Sequence, residues 1–262
     1  MRTVLSSAVA VVLVMGSLAG CRQGSRHQEP ASAVSVPRPP QGAVMRPRFV
    51  TAEGEFAAGT AFVVRLDDGR LVGLTAYHLF GPAGGLEREV AAAELGRFVR
   101  GVWLDALTSS EQTREAGPMW VLPGAHATTD AADLSGDVAA FLVPESLAPR
   151  ALKLARARPQ PGERVWLFAE VLEGRTQHQL LHEARVDSST ATRLNYHFAD
   201  PTLSLRATSG APVLNARGEV VGINLGGGND GEDSLWGAAN PTESVRAQLA
   251  RALPTASSGT AR

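Results

Sequence analysis

One cysteine, Cys21, and one lysine, Lys153, occur among the 262 residues. A lone cysteine rules out a disulfide within the chain, so the fold must rest on a packed core. Lys and Arg number 25 against 26 Asp and Glu, a formal net charge of −1, and no basic block stands out. The electrostatic footprint of a nucleic-acid binder is therefore missing, and no nucleic acid is expected as a partner. Long apolar runs are missing too. Residues 4–15, interrupted by Ser6 and Ser7, fall short of the roughly 20 that a membrane-spanning helix needs. The glycine-rich stretch 226–231 lacks a following Lys-Ser/Thr, so it reads as a flexible loop and not a phosphate cradle. His178 and His182 are four apart, but Gln179 stands where a zinc helix would carry its glutamate. Along a strand that spacing is about 13 Å, too far to share an ion. No metal and no cofactor are expected.

What remains suits a sizeable core: 44% of residues are hydrophobic, in a length fitting one large all-β domain or two small ones. The N-terminus reads as an address. Arg2 precedes the apolar run, and Leu18-Ala19-Gly20-Cys21 closes it with small residues before the cysteine. This is similar to a bacterial lipoprotein signal, with residues 1–20 removed and Cys21 carrying a diacylglyceryl thioether. Several acyl chains hold a protein on a membrane where one does not. Arg22 follows the cysteine, which makes an outer-membrane anchor facing the periplasm the expected location. Residues 21–47, rich in Pro, Ser, Gln and Arg, read as the lipidated end and a tether.

Beyond the tether the texture changes. Residues 60–66, 71–75, 100–104, 138–143, 164–171, 179–186, 193–198 and 219–225 are short runs rich in apolar and β-branched types. Asp67-Asp68-Gly69, Pro161-Gly162 and Asn215-Ala216-Arg217-Gly218 punctuate them as turns. Many short strands so spaced predict an all-β sandwich or barrel. Residues 90–98 carry a helical pattern, and the proline-rich stretch 144–161 reads as a crossover between two β subdomains. A last helix is expected over 241–253. Asn240 is placed to cap it, Pro241 to open it and Glu243 to reach back, with Val245, Leu249 and Leu253 as its apolar stripe. Residues 255–262 read as a disordered tail.

Three separated segments carry chemistry-bearing side chains. Leu74-Thr75-Ala76-Tyr77-His78 ends a strand on an imidazole, and Gly136-Asp137-Val138-Ala139 opens one after a carboxylate. Thr208-Ser209-Gly210-Ala211-Pro212 leads into a strand, a turn and Val221-Gly222-Ile223. A base, an orienting acid and a hydroxyl nucleophile are the parts of a covalent hydrolytic site. In this order the segments resemble the trypsin-like (chymotrypsin-fold) serine peptidases, closest to their bacterial periplasmic branch. The likeness covers about residues 49–254.

The resemblance implies an all-β fold of two antiparallel β-barrels with a C-terminal helix. The domain would span 48–254, its first barrel about 48–145 and its second about 160–240. It implies a serine endopeptidase in which His78, Asp137 and Ser209 are catalytic and the N–H groups of Ala207 and Ser209 form the oxyanion hole. Asn224, Leu225 and Gly226 would pair with the backbone of a peptide or protein substrate, and Leu203 would lie near the floor of the side-chain pocket. Two departures matter. Ala207 replaces the family's usual glycine at a position favouring positive φ, where a Cβ costs about 1–2 kcal/mol. Thr208 replaces the usual Asp or Asn, so a switch in which that aspartate captures a new N-terminus cannot operate. The other reading is a catalytically inactive, protease-like lipoprotein that binds peptides or envelope partners.

Overall fold

The computed structural model describes residues 35–252, apart from 108–112, 129, 174, 175, 177 and 232. Cys21, the signal-like segment, most of the tether, Leu253 and the tail thus lie outside the described residues. The chain runs through β1 (Val44–Thr51), β2 (Glu55–Ala57), β3 (Ala61–Arg65), β4 (Leu71–Thr75), α1 (Ala92–Phe98), β5 (Val99–Ala106), β6 (Arg114–Ala116), β7 (Met119–Trp120), β8 (Ala139–Leu142) and β9 (Leu152–Lys153). It continues with β10 (Arg164–Phe168), β11 (Leu181–Ser189), β12 (Leu194–Phe198), β13 (Pro212–Leu214), β14 (Val220–Gly231), β15 (Ser234–Pro241) and α2 (Thr242–Ala252).

The fold is nearly all-β, with two barrel-like sheets and a C-terminal helix. The second sheet closes as β10-β11-β12-β15-β14-β13. The first is a nine-stranded half-barrel ordered β6-β5-β1-β3-β4-β8-β7, with β2 and β9 off that path. Its pairs are antiparallel except β9, which runs parallel to β3 with Val64 opposite Leu152. That pair arises because the crossover returns alongside β3 on its way to the second barrel. Strand β4 is buried throughout, since β3 and β8 flank it and both its faces are covered. Two apolar cores result, and the first also takes in Val245 and Leu249 of α2.

Three segments differ from their sequence reading. Strand β1 begins at Val44, inside the stretch read as tether. On one edge its Pro47 lies between the residues that pair β3 (Val44, Met45) and those that pair β2 (Arg48–Val50), so the missing N–H interrupts neither of those ladders; on the other edge Pro47 stands opposite Leu104 of β5. The glycine-rich stretch extends β14, with Gly227 opposite Gly237 and Asn229 opposite Leu235. A partner strand supplies the order that local composition does not. Asn240 lies within β15, which runs on through Pro241, instead of serving a capping box: its Oδ1 accepts from Ser244 Oγ, while Glu243 pairs with Arg158.

Candidate active site

The first barrel delivers a base already bonded to an acid. Strand β4 ends at Thr75, and the chain tightens into a 3-10 turn at Tyr77–Phe80 carrying His78. The exposed N–H groups of that turn need an acceptor, and Asp137 supplies it from the segment entering β8. Its Oδ1 accepts from Tyr77 N at 2.7 Å and His78 N at 3.0 Å; its Oδ2 meets His78 Nδ1 at 2.8 Å and Thr128 N at 3.4 Å. The carboxylate is 2% exposed and the imidazole 15%. An ionised carboxylate only accepts, so Nδ1 carries the proton in this pair and the Nε2 lone pair remains for a substrate-side partner. The acid's own loop is held from the second barrel: Asn240 Nδ2 bonds to Ser135 O at 3.1 Å and Asp137 O at 3.3 Å, and Gln248 Nε2 also reaches Ser135 O. Beside the pair, Tyr77 is buried and donates to Val90 O at 2.5 Å; burial, chiefly, pushes its pKa up to about 12, so it stays a neutral donor.

The second barrel delivers the hydroxyl on two consecutive turns. In the first, Thr208 N bonds back to Leu205 O at 3.2 Å with Ala207 third; in the next, Ala211 N bonds to Thr208 O at 3.0 Å with Gly210 third. Both third residues have positive φ, 64° at Ala207 and 88° at Gly210, the pattern of type II turns. Ala207 is the only described non-glycine residue in that region. It keeps the strained conformation that the sequence reading anticipated for glycine, at about 1–2 kcal/mol.

These turns press against the first barrel. A Cβ at Gly210 would fall 2.2 Å from Thr60 O and 2.9 Å from Ala76 N, so only glycine fits there. One at Gly59 would lie 2.5 Å from Ser209 O and 2.6 Å from Leu79 Cδ1, marking where the loop of Ser209 closes on the turn of His78. Thr60 ties the seam: its N–H donates to Ser209 O at 2.8 Å and its hydroxyl to Ala207 O at 3.0 Å. The Ser209 hydroxyl donates to Leu225 O at 3.3 Å. Among the described residues it makes no bond to His78, and the N–H groups of Ala207 and Ser209 have no protein acceptor.

The structure therefore brings His78, Asp137, Ser209, Ala207 and Leu225 to one seam between the sheets. Asn224 is different. Its N–H donates to Ala211 O at 2.8 Å and its carbonyl accepts Gly210 N at 2.7 Å, so neither is left for a substrate. The register moves one residue on, because Leu225 bulges out of the ladder between Asn224–Ala239 and Gly226–Ala238. Leu203 is buried in the second core and lines a hollow of about 380 Å³ with Trp166, His182 and Phe198, a lining that does not include Ser209. The residue lying against the 225–227 segment is Leu205, whose Cδ1 sits 2.7 Å from where a Gly227 Cβ would be. His182 belongs to β11 and bonds through Nε2 to Ala169 O at 3.1 Å. Sequence reasoning did not find Thr60, which nothing local marks, and assigned Asn240 to another task.

Residues 59–223 match the family model of the trypsin-like peptidase domain. No curated protein matches the chain. Among solved structures it is similar to the Rv3671c protease from M. tuberculosis in its active form, at 18% identity and TM-score 0.51, covering 86% of this chain and 92% of that one. The thermostable serine protease AL20 from an extremophilic microorganism aligns at 14% identity and TM-score 0.53, over 81% of this chain and 97% of its own. Protease Anisep from Arthrobacter nicotinovorans gives 11% and 0.53, over 82% and 97%. At such identities the likeness speaks to the fold.

Proposed function

Because the chain belongs to the trypsin-like peptidase family, we propose that it is a serine endopeptidase using Ser209, His78 and Asp137, held at the cell envelope by lipid on Cys21. The observation that carries this reading is the closure of the Ser209 loop onto the turn of His78, whose Nδ1 is already committed to Asp137.

The reaction follows from the free valences. A substrate strand laid beside residues 225–227 offers an N–H to Leu225 O, taking the place of the Ser209 hydroxyl there. The released Oγ–H turns to His78 Nε2, which removes the proton as Oγ bonds to the scissile carbonyl carbon. Charge moves to the carbonyl oxygen, into the space facing the unpartnered N–H groups of Ala207 and Ser209. The imidazolium, stabilised by Asp137, then protonates the leaving amine as the C–N bond breaks. Water, deprotonated by the same imidazole, cleaves the acyl-enzyme and restores the serine. No step calls on a metal or cofactor.

A fluorophosphonate probe tests the reading: labelling of the wild type and none of Ser209→Ala supports it. No labelling of either protein overturns it in favour of the inactive, peptide-binding reading, for which Ala207 is the specific support. The anchor rests on the signal-like sequence. Cys21→Ser should move the protein from the membrane to the soluble fraction; retention on the membrane would refute the lipid. An outer-membrane position facing the periplasm remains part of this proposal, on the strength of Arg22.

A further inference from the structure

The two N–H groups facing the reaction space are not held alike. A trans peptide is planar, with its C=O and N–H pointing opposite ways, so whatever fixes the carbonyl of one residue fixes the N–H of the next. For Ser209 the relevant carbonyl is Thr208 O. It accepts from Ala211 N at 3.0 Å and from Asn224 Nδ2 at 3.0 Å, both from inside the barrel. The Ser209 N–H is thereby aimed outward. For Ala207 the relevant carbonyl is that of Arg206, which accepts no hydrogen bond among the described residues. Rotating that single peptide converts a type II turn into a type I turn and leaves its ends in place. It is also the change that would relieve the positive φ at Ala207.

Asn224 is built for its task. It is fully buried on β14 with every polar group used. Its amide donates to both Thr208 O and Thr208 Oγ1, each at 3.0 Å, and its Oδ1 accepts from Tyr196 OH at 2.6 Å. Thr208 Oγ1 in turn donates a hydrogen bond to Leu205 O at 2.7 Å. The chain of donors runs one way, Tyr196 to Asn224 to Thr208 to Leu205, and so fixes which end of the amide faces Thr208. Tyr196 is itself buried, with its ring against Gly237, and burial raises its pKa so that it remains a donor.

We propose that Asn224, oriented by Tyr196, is the positioning residue of the oxyanion hole: through Thr208 it fixes the Ser209 N–H as the rigid donor and leaves the Ala207 N–H as the adjustable one. This rests on the peptidase reading above. It replaces the substrate-pairing role that the sequence suggested for Asn224. It also gives Thr208 a purpose, since its hydroxyl is tied inside the barrel at the position where the family usually carries an acid or amide.

The test is the rate of labelling by a simple alkyl fluorophosphonate, whose phosphoryl oxygen enters the same space. It is measured well below the melting temperature on the full chain, with folding checked by circular dichroism. Asn224→Ala should slow the maximal labelling rate by about 10²-fold or more, the loss of one donor, with the half-saturating probe concentration little changed. Tyr196→Phe removes one hydroxyl and keeps the fold, and should slow labelling about tenfold. Ala207→Gly removes the strain of the positive φ and should label faster than wild type, and in the Asn224→Ala background it should not restore the rate, because it serves the other donor. A merely structural Asn224 would lower the melting temperature and leave the rate of the folded protein alone. Wild-type rates in both Asn224→Ala and Tyr196→Phe, with wild type labelled and Ser209→Ala not, would overturn this inference and spare the peptidase reading. An unlabelled wild type would overturn both. If Asn224→Ala fails to fold, Tyr196→Phe decides the matter, and an unchanged rate there rejects the proposal.

Discussion

The turn that carries His78 and the loop that carries Ser209 solve the same problem by opposite means. In the first, one buried carboxylate satisfies two backbone N–H groups and the imidazole together, so the acid that would tune the base also shapes the turn. In the second, no single group does both jobs. The loop is pinned by Thr60 across the seam and by Asn224 from below, and Ala207 retains a strained φ of 64°. A site held by one buried group tolerates little change in that residue. One held by several separate bonds spreads its dependence over them.

The sharpest way to break that comparison is at Asp137. Asp137→Asn keeps an oxygen for the Tyr77 and His78 backbone N–H donors but offers an N–H to His78 Nδ1, forcing the tautomer that puts the proton on Nε2. Fluorophosphonate labelling should fall by about 10⁴-fold with only a small change in melting temperature. Asp137→Ala should lose the same activity and, with buried donors left unpaired, about 3 kcal/mol or more of stability as well. An Asn variant that labels like wild type would mean the carboxylate serves the turn alone.

A middle-sized effect is expected at the seam. Gly210→Ala adds a Cβ 2.2 Å from Thr60 O at a φ of 88°, so both the contact and the conformation oppose it. A loss of about 2–4 kcal/mol in urea unfolding, with labelling of the folded fraction slowed, is the expected outcome. A variant as stable as wild type would show that the loop moves away from the first sheet at little cost, and would undo the claim that Thr60 holds it.

What could be read beforehand follows the same division. The segments of His78, Asp137 and Ser209, which meet at the seam, were legible because each sits at the end or start of an apolar run in a recognisable local pattern. The strands themselves were legible from alternation and turn residues, and 71–75 matches β4 residue for residue. Thr60 and Tyr196 were not, because their roles arise from bonds across 147 and 28 positions of sequence. Strand β1 was hidden by the prolines around it, and the arm of β14 by its glycines. In both cases a neighbouring strand overrode local preference. Asn240 shows the reverse error: a good local explanation, helix capping, stood in for its bonds to Ser135 O and Asp137 O.

The smallest predicted effect separates the two sheets by how each buries a titratable group. The first buries Asp137 among four donors, a setting for a charged group; the second buries His182 with one ring nitrogen on Ala169 O, a setting for a neutral one. Burial lowers the pKa of His182 from its ordinary 6.5, with the Ala169 bond and Asp200 opposing that shift only in part. As pH falls below 6.5 the unfolded chain therefore takes up a proton that the native state refuses, and stability declines until the lower native pKa is reached. Above 6.5 both states are neutral and the contribution is flat. The slope from this group cannot exceed about 1.4 kcal/mol per pH unit. Urea midpoints at pH 5 and pH 7.5 should differ less for His182→Gln than for wild type, since other groups titrate alike in both proteins. Equal differences would show that the second sheet accepts a charged imidazole at this position.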